Sequence, residues 1–148
     1  MAIPRGHLKD LIGTLIVVGL ILWMTATVFA ANYVVIVNKD VSEDSFSRAE
    51  LRSIFLGEKI KWENKKYIKV AIPLEGDAYR EFLKDVVLKT PSQFDNHWMK
   101  QVYSGKASMP QSFAEISQLV DYVASHSGAI GFVAAGLTDK SVKTISIK

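Results

Sequence analysis

The apolar positions of this chain fall into short runs whose spacing changes from one run to the next, and each change predicts an element. Asn32 to Asn38 reads NYVVIVN, a continuous β-branched stretch that ends in polar residues. Such a run predicts a strand buried on both faces, in the middle of a sheet. Ser47-Arg-Ala-Glu50 then has serine and glutamate at capping-box spacing, with Phe46 and Leu51 placed as a hydrophobic staple. A short helix therefore starts at Ser47 and stops at Gly57. Tyr67 to Ile72, YIKVAI, predicts a second strand, which Pro73 ends. Leu74-Glu75-Gly76 makes a tight connection into a helix that Asp77 can cap, and Phe82, Leu83, Val86 and Val87 form its apolar face.

Thr90-Pro-Ser-Gln93 opens a further helix with a cap, a proline at its first position and a returning glutamine. Its apolar residues Phe94, Trp98 and Val102 recur at every fourth position, and Gly105 ends it. Ser112-Phe-Ala-Glu115 predicts another capping box, followed by the stripe Phe113, Ile116, Leu119, Val120 and Val123 up to Ser127-Gly128. Ala129 to Val133 and Val142 to Ile147 read as closing strands. The order β, α, β, α, α, α, β, β predicts an α/β fold whose mostly parallel central sheet is flanked by helices.

One run belongs to no such element. From Leu11 to Ala31 there is no charged residue, and Arg5 and Lys9 precede the run. Residues 1–30 are therefore expected to be a signal peptide or an N-terminal membrane anchor. The run is long for a cleaved signal and just long enough to span, while Val28-Phe29-Ala30 offers a cleavage site, so both outcomes stay open. In either case residues 31–148 are expected in the periplasm or another extracytoplasmic space, tethered to the inner membrane if the run is kept.

Composition narrows the chemistry. The chain has no cysteine, which excludes disulfides, thiolate metal sites and lipidation at a cysteine. Taking Arg5, Lys9 and Asp10 from its 18 basic and 15 acidic residues leaves a surplus of two positive charges, too mild for a nucleic-acid partner. Lys59, Lys61, Lys65, Lys66 and Lys69 cluster locally and read as solvated turn and edge positions. His97 and His126 lie apart and belong to no metal or triad pattern, and no nucleophile motif or phosphate-loop glycine pattern is present. No catalytic residue, cofactor or metal is expected; the reading is of a protein that is not an enzyme.

The stretch Ile54 to Trp62, IFLGEKIKW, carries a further signal: a helix ending in Ile-Phe-x-Gly, then lysines and a tryptophan, then a strand. With YVVIVNKD before it and PSQFDNHW and GAIGFV after it, the chain from about Tyr33 to Lys148 resembles the second lobe of phosphate ABC-transporter substrate-binding proteins. The resemblance implies one lobe of a type II periplasmic-binding-protein fold over residues 31–148, and phosphate or another small anion as ligand. Two departures accompany it. There is room for one lobe rather than two, and where that family has an arginine with a Ser-Gly-Thr set this chain has Pro73-Leu-Glu-Gly-Asp-Ala-Tyr-Arg80.

The expected ligand contacts follow from that loop. Gly76, Asp77 and Arg80 lie at a helix N-terminus after a strand, where free N–H groups favour an anion. Asn38 is expected on the same edge as a second contact. Against an anion stand Glu75 and Asp77, whose charges repel it, and a capped, unliganded turn is the competing reading. A lobe of this kind that has lost its ligand would instead dock a membrane protein partner or form a homodimer. Trp98 is expected in the core; Trp62 is expected to cover the helix end at Phe55 and Gly57 or else to meet a partner.

Overall fold

The computed structural model describes residues 31–148, which form one compact unit, Ala31–Lys148. The segment expected to be a signal or anchor lies outside the described residues. Among those described, no helix is long and apolar enough to cross a membrane.

The elements are β1 (Tyr33–Val37), β2 (Ser45–Phe46), α1 (Arg48–Phe55), β3 (Lys69–Pro73), α2 (Asp77–Phe82, continued as a π turn over Leu83–Val87), α3 (Pro91–Tyr103), β4 (Gln111–Phe113), α4 (Ile116–Ser125), β5 (Ala129–Ala134) and β6 (Lys143–Ile147). The six strands make one sheet in the order β2-β6-β1-β5-β3-β4. β1 is central, as its unbroken apolar run predicts, but it runs antiparallel to both neighbours, pairing Val35 with Phe132 of β5 and with Ile145 of β6. The other pairings, β2 with β6 and β3 with both β4 and β5, are parallel. Five strands therefore point one way and β1 the other, and the sheet is mostly parallel.

Helices cover both faces unequally. Tyr33, Val35 and Val37 of β1, Ile72 of β3 and Ile130 and Phe132 of β5 face α1, α2 and α3 in the larger core. Phe82 stacks on Phe132 with centroids 3.9 Å apart, and Phe55 meets both rings edge-on at 4.7 and 5.6 Å. Such aromatic pairs add about 0.5–1.5 kcal/mol each beyond the area they bury. On the other face Ile36, Ala71 and Val133 pack against Leu119, Val120 and Val123 of α4 alone. Gly131 lets that helix sit close: a Cβ there would come within 2.8 Å of the Ala71 carbonyl and 3.1 Å of Leu119.

Local signals hold where side chain and backbone answer each other. Ser47 with Glu50, and Thr90 with Gln93, both form complete capping boxes. The serine backbone and hydroxyl bind the Glu50 carboxylate and hold it below its ordinary pKa. Ser112 does not cap a helix; it lies in β4, the edge strand, and α4 starts later with Glu115 at its cap position and no side-chain cap bond. Three residues cannot be told from a cap by spacing alone when a neighbouring strand is free to pair with them. Val102 is exposed although Phe94 and Trp98 on the same stripe are buried.

Trp98 lies in the core as expected, and it also takes the place expected of Trp62. Trp98 covers the end of α1: its Nε1 donates to the Phe55 carbonyl at 3.2 Å and its ring lies against Gly57. Trp62 is also buried, but it stacks on Phe46 and donates from Nε1 to the Gly128 carbonyl at 2.9 Å. Trp62 therefore fastens β2 to the turn before β5 and does not cover Gly57.

Candidate functional site

Strand direction decides which residues share an edge. The carboxyl ends of β3, β4 and β5 lie together with the amino end of β1, since Tyr33 pairs with Ala134. In folds of this type ligands gather at the carboxyl ends of the parallel strands. Gly76, Asp77 and Arg80 lie at that edge, directly after β3.

Gly76 is the cap residue of α2, with φ 119°, a conformation that glycine adopts without steric cost. Asp77 does not cap the helix, because it is already the first helical residue. Its carboxylate instead meets Arg80 Nη2 at 2.5 Å, with both side chains largely exposed. No side chain caps α2, so its first-turn N–H groups are left to solvent or to a ligand. An exposed pair of this sort contributes about 0–1 kcal/mol, so Arg80 is released from it at small cost.

Beside the turn is a cavity of about 340 Å³ whose lining includes Glu75, Tyr79, Arg80, Asp95, Trp98 and Ser112. Burial, with the Asp95 charge adding to it, pushes the Tyr79 hydroxyl above its ordinary pKa and keeps it a neutral donor. A shallower hollow on the other side of Arg80 adds Asn32, Asp77, Glu81, Lys84 and Asp85. Asn32 Nδ2 donates to Glu81 at 2.8 Å, which ties the start of β1 to α2. Asn32, Tyr79 and Glu81 are the members of this edge that the sequence reading missed. Their only signal was position, Asn32 at the opening of the first strand and the other two one turn into the helix.

Asn38 is not part of this edge. Because β1 runs antiparallel, its carboxyl end lies at the opposite side of the sheet, and the expectation of a shared edge is corrected. There Asn38 is buried, and Nδ2 donates to the Val123 and Ala124 carbonyls at 2.9 Å each, closing the end of α4. Its Oδ1 accepts from the Asp40 N–H at 3.0 Å. Asp40 in turn accepts from Lys66 at 2.7 Å, from the Gly128 N–H at 3.1 Å and from the Ser127 hydroxyl. Burial alone raises the Asp40 pKa; these three donors outweigh it and bring it to about 2. Asn38 and Asp40 form a structural clasp whose side-chain polar atoms are already in use.

The two described histidines are likewise engaged. His97 Nε2 lies 2.8 Å from the Leu56 carbonyl, and His126 stacks on Tyr122 with Nδ1 2.8 Å from that residue's carbonyl. Among the described residues no group of three or more His, Asp or Glu side chains is placed to hold a metal ion.

No protein-family model and no curated protein sequence matches the chain. Solved structures do. An ABC-type phosphate transport receptor from Vibrio cholerae superposes with TM-score 0.55 at 18% identity, over 78% of this chain and 46% of that one. A putative phosphate ABC transporter substrate-binding protein with bound phosphate, from Clostridium perfringens, gives 0.56 at 16% identity, over 78% and 44%. PstS from Borrelia burgdorferi gives 0.59 at 12% identity, over 79% and 47%. The match spans a little under half of each of those chains. The fold is therefore that of phosphate ABC-transporter substrate-binding proteins, in the extent of a single lobe.

Proposed function

We propose that this chain is a non-catalytic extracytoplasmic binding protein whose ligand is phosphate or another small oxyanion, met at the start of α2. The observation that carries this reading is the Gly76 turn: an uncapped helix start after a parallel strand, with Arg80 one turn on and held only by an exposed pair. Backbone N–H groups of the first turn donate to the anion, and Arg80 leaves Asp77 to pair with it. Residues 1–30 export the domain, cleaved or kept as an anchor.

Electrostatics set the strength of such a site. Glu75, Asp77, Glu81 and Asp85 surround the turn against Arg80 and Lys84, so the local balance is negative. One lobe also offers one wall of a cleft. Affinity in the monomer is then weak, and a second surface, from a partner protein or a second copy, completes the site. Amide NMR on the isotope-labelled protein, titrated with phosphate at constant ionic strength, tests this. Saturable shifts of the Asp77, Ala78 and Tyr79 amides, lost in Arg80→Gln, support the reading; no shift at millimolar phosphate removes it.

The same surplus of carboxylates favours a second reading, a membrane-tethered envelope interaction or assembly module that has lost its ligand. The mature N-terminus, read by mass spectrometry, separates the two. A start at Ala31 is expected of a free binding protein, and an intact Met1 recovered in a stoichiometric membrane complex is expected of the module.

A further inference from the structure

Basic residues also gather about the start of β3, at the other end of that strand from the Gly76 turn. A groove of about 420 Å³ opens there, within the size range of small-ligand sites. Val70, Trp98 and Met109 contribute its apolar wall, and Lys59, Lys69 and Lys106 line it from three separate segments. No aspartate or glutamate lines it. Among the described residues the salt bridges are those of Lys66, Arg80 and Lys143, so none of the three groove lysines is engaged in one. Lys59 acts at longer range on the Glu50 carboxylate.

The backbone is open at the same place. β4 begins to pair with β3 only at Ala71, so the outer edge of Lys69 and Val70 is not covered by a strand. Met109 is 56% exposed, although it sits beside the buried Trp98. An apolar wall ringed by three unpaired cations selects against a neutral or basic occupant. A bare phosphate would leave the wall wet, and an apolar molecule would leave the lysines without a counter-charge.

We propose that this groove is a second binding site, for an organic anion that carries an apolar body: an aryl or alkyl phosphate, sulfonate or carboxylate. The body lies against Trp98 and Met109, and the charged head is held among Lys59, Lys69 and Lys106. The groove adjoins the cavity beside the Gly76 turn through Trp98, Met109 and Pro110, but its three lysines do not line that cavity, so it does not depend on the oxyanion reading. The same chemistry is presented by a free metabolite or by an anionic lipid headgroup; the concave wall favours the free molecule, since a bilayer surface does not enter a groove.

Calorimetric titration of the mature protein with naphthyl phosphate tests the site. Saturable binding is expected, with about a tenfold loss for Lys106→Glu and again for Lys59→Glu. Met109→Asp is expected to weaken it as well. These side chains are exposed or half-buried, and an unchanged circular dichroism spectrum and unfolding midpoint establish that each variant is folded. Arg80→Gln is expected to leave naphthyl phosphate binding unchanged, while it weakens any binding of inorganic phosphate at the Gly76 edge. Absence of saturable binding, or equal affinity in wild type and both lysine reversals, overturns the proposal. So does lysine-dependent cosedimentation with phosphatidylglycerol vesicles in a protein that ignores naphthyl phosphate, because the patch would then be a membrane surface.

Discussion

Gly57→Ala is expected to destabilise the domain by about 2–4 kcal/mol, and the figure separates into two parts. Gly57 has φ 73°, where a side chain costs about 1–2 kcal/mol. The added methyl would also fall 2.6 Å from Trp98 Cη2. Trp98 is 3% exposed, and its Nε1 bond to the Phe55 carbonyl fixes the ring, so it yields only by giving up packing or that bond. Overpacking of a filled core typically costs about 1–3 kcal/mol. The reduced freedom of the unfolded chain returns about 0.4–1 kcal/mol at most. Gly105→Ala is the control: φ is 69°, but nothing lies within 4 Å of its would-be Cβ, so only the backbone part applies. Urea unfolding followed by tryptophan fluorescence gives both values. If Gly57→Ala and Gly105→Ala cost the same, Trp98 does not cover this turn and the account of IFLGEKIKW is wrong.

Three further changes probe other parts of the molecule. Asp40→Asn is expected to cost about 1–2 kcal/mol at neutral pH, a ceiling of about two pKa units reduced for the exposed quarter of its side chain. Because the folded pKa lies below the unfolded one, that stability is fully present above about pH 4 and is lost as pH falls towards 2. Urea midpoints of wild type and variant should therefore converge over this window, and a constant gap would refute the clasp. Leu88→Gly is expected to stabilise by up to about 1 kcal/mol, since Leu88 ends the π turn at φ 59° with its side chain exposed. A lower unfolding midpoint for that variant would count against this. Trp62→Phe keeps a ring on Phe46 but leaves the Gly128 carbonyl without its indole donor, and a loss of about 1–3 kcal/mol is expected from thermal unfolding. A neutral outcome would mean that water replaces the bond.

Much of the fold is legible where residues close in sequence settle the matter between themselves. Ser47 with Glu50 and Thr90 with Gln93 are two reciprocal bonds within one turn, and no distant contact is needed to make them. The direction of β1 is of another kind. YVVIVN is equally apolar read either way, and only its pairing with Ala134 at one end and Ile130 at the other reverses it. That one reversal carries Asn38 from the expected ligand edge to the far side of the sheet. That Trp98 rather than Trp62 covers Gly57 has the same origin, because Gly57 and Trp98 are brought together by the packing of α3 on α1.

The site was half legible for a related reason. Glycine after a strand and before a helix marks a turn, and the turn is there. Whether Asp77 consumes the free N–H groups depends on one residue of helix register, and the structure gives that place to Gly76 and directs Asp77 to Arg80. The donors an anion needs are thereby released, while Asp77 remains near enough to oppose it. The lysine run shows the converse. Read along the chain, Lys59 to Lys69 is a string of solvated charges, and Lys66 does spend its charge on Asp40. Lys59 and Lys69 acquire a common direction only when Lys106, from beyond α3, joins them around Met109 and Trp98. The three groove lysines thus lie outside the cavity beside the Gly76 turn, and an anion with an apolar body has reason to choose the groove where a bare oxyanion has reason to choose the turn.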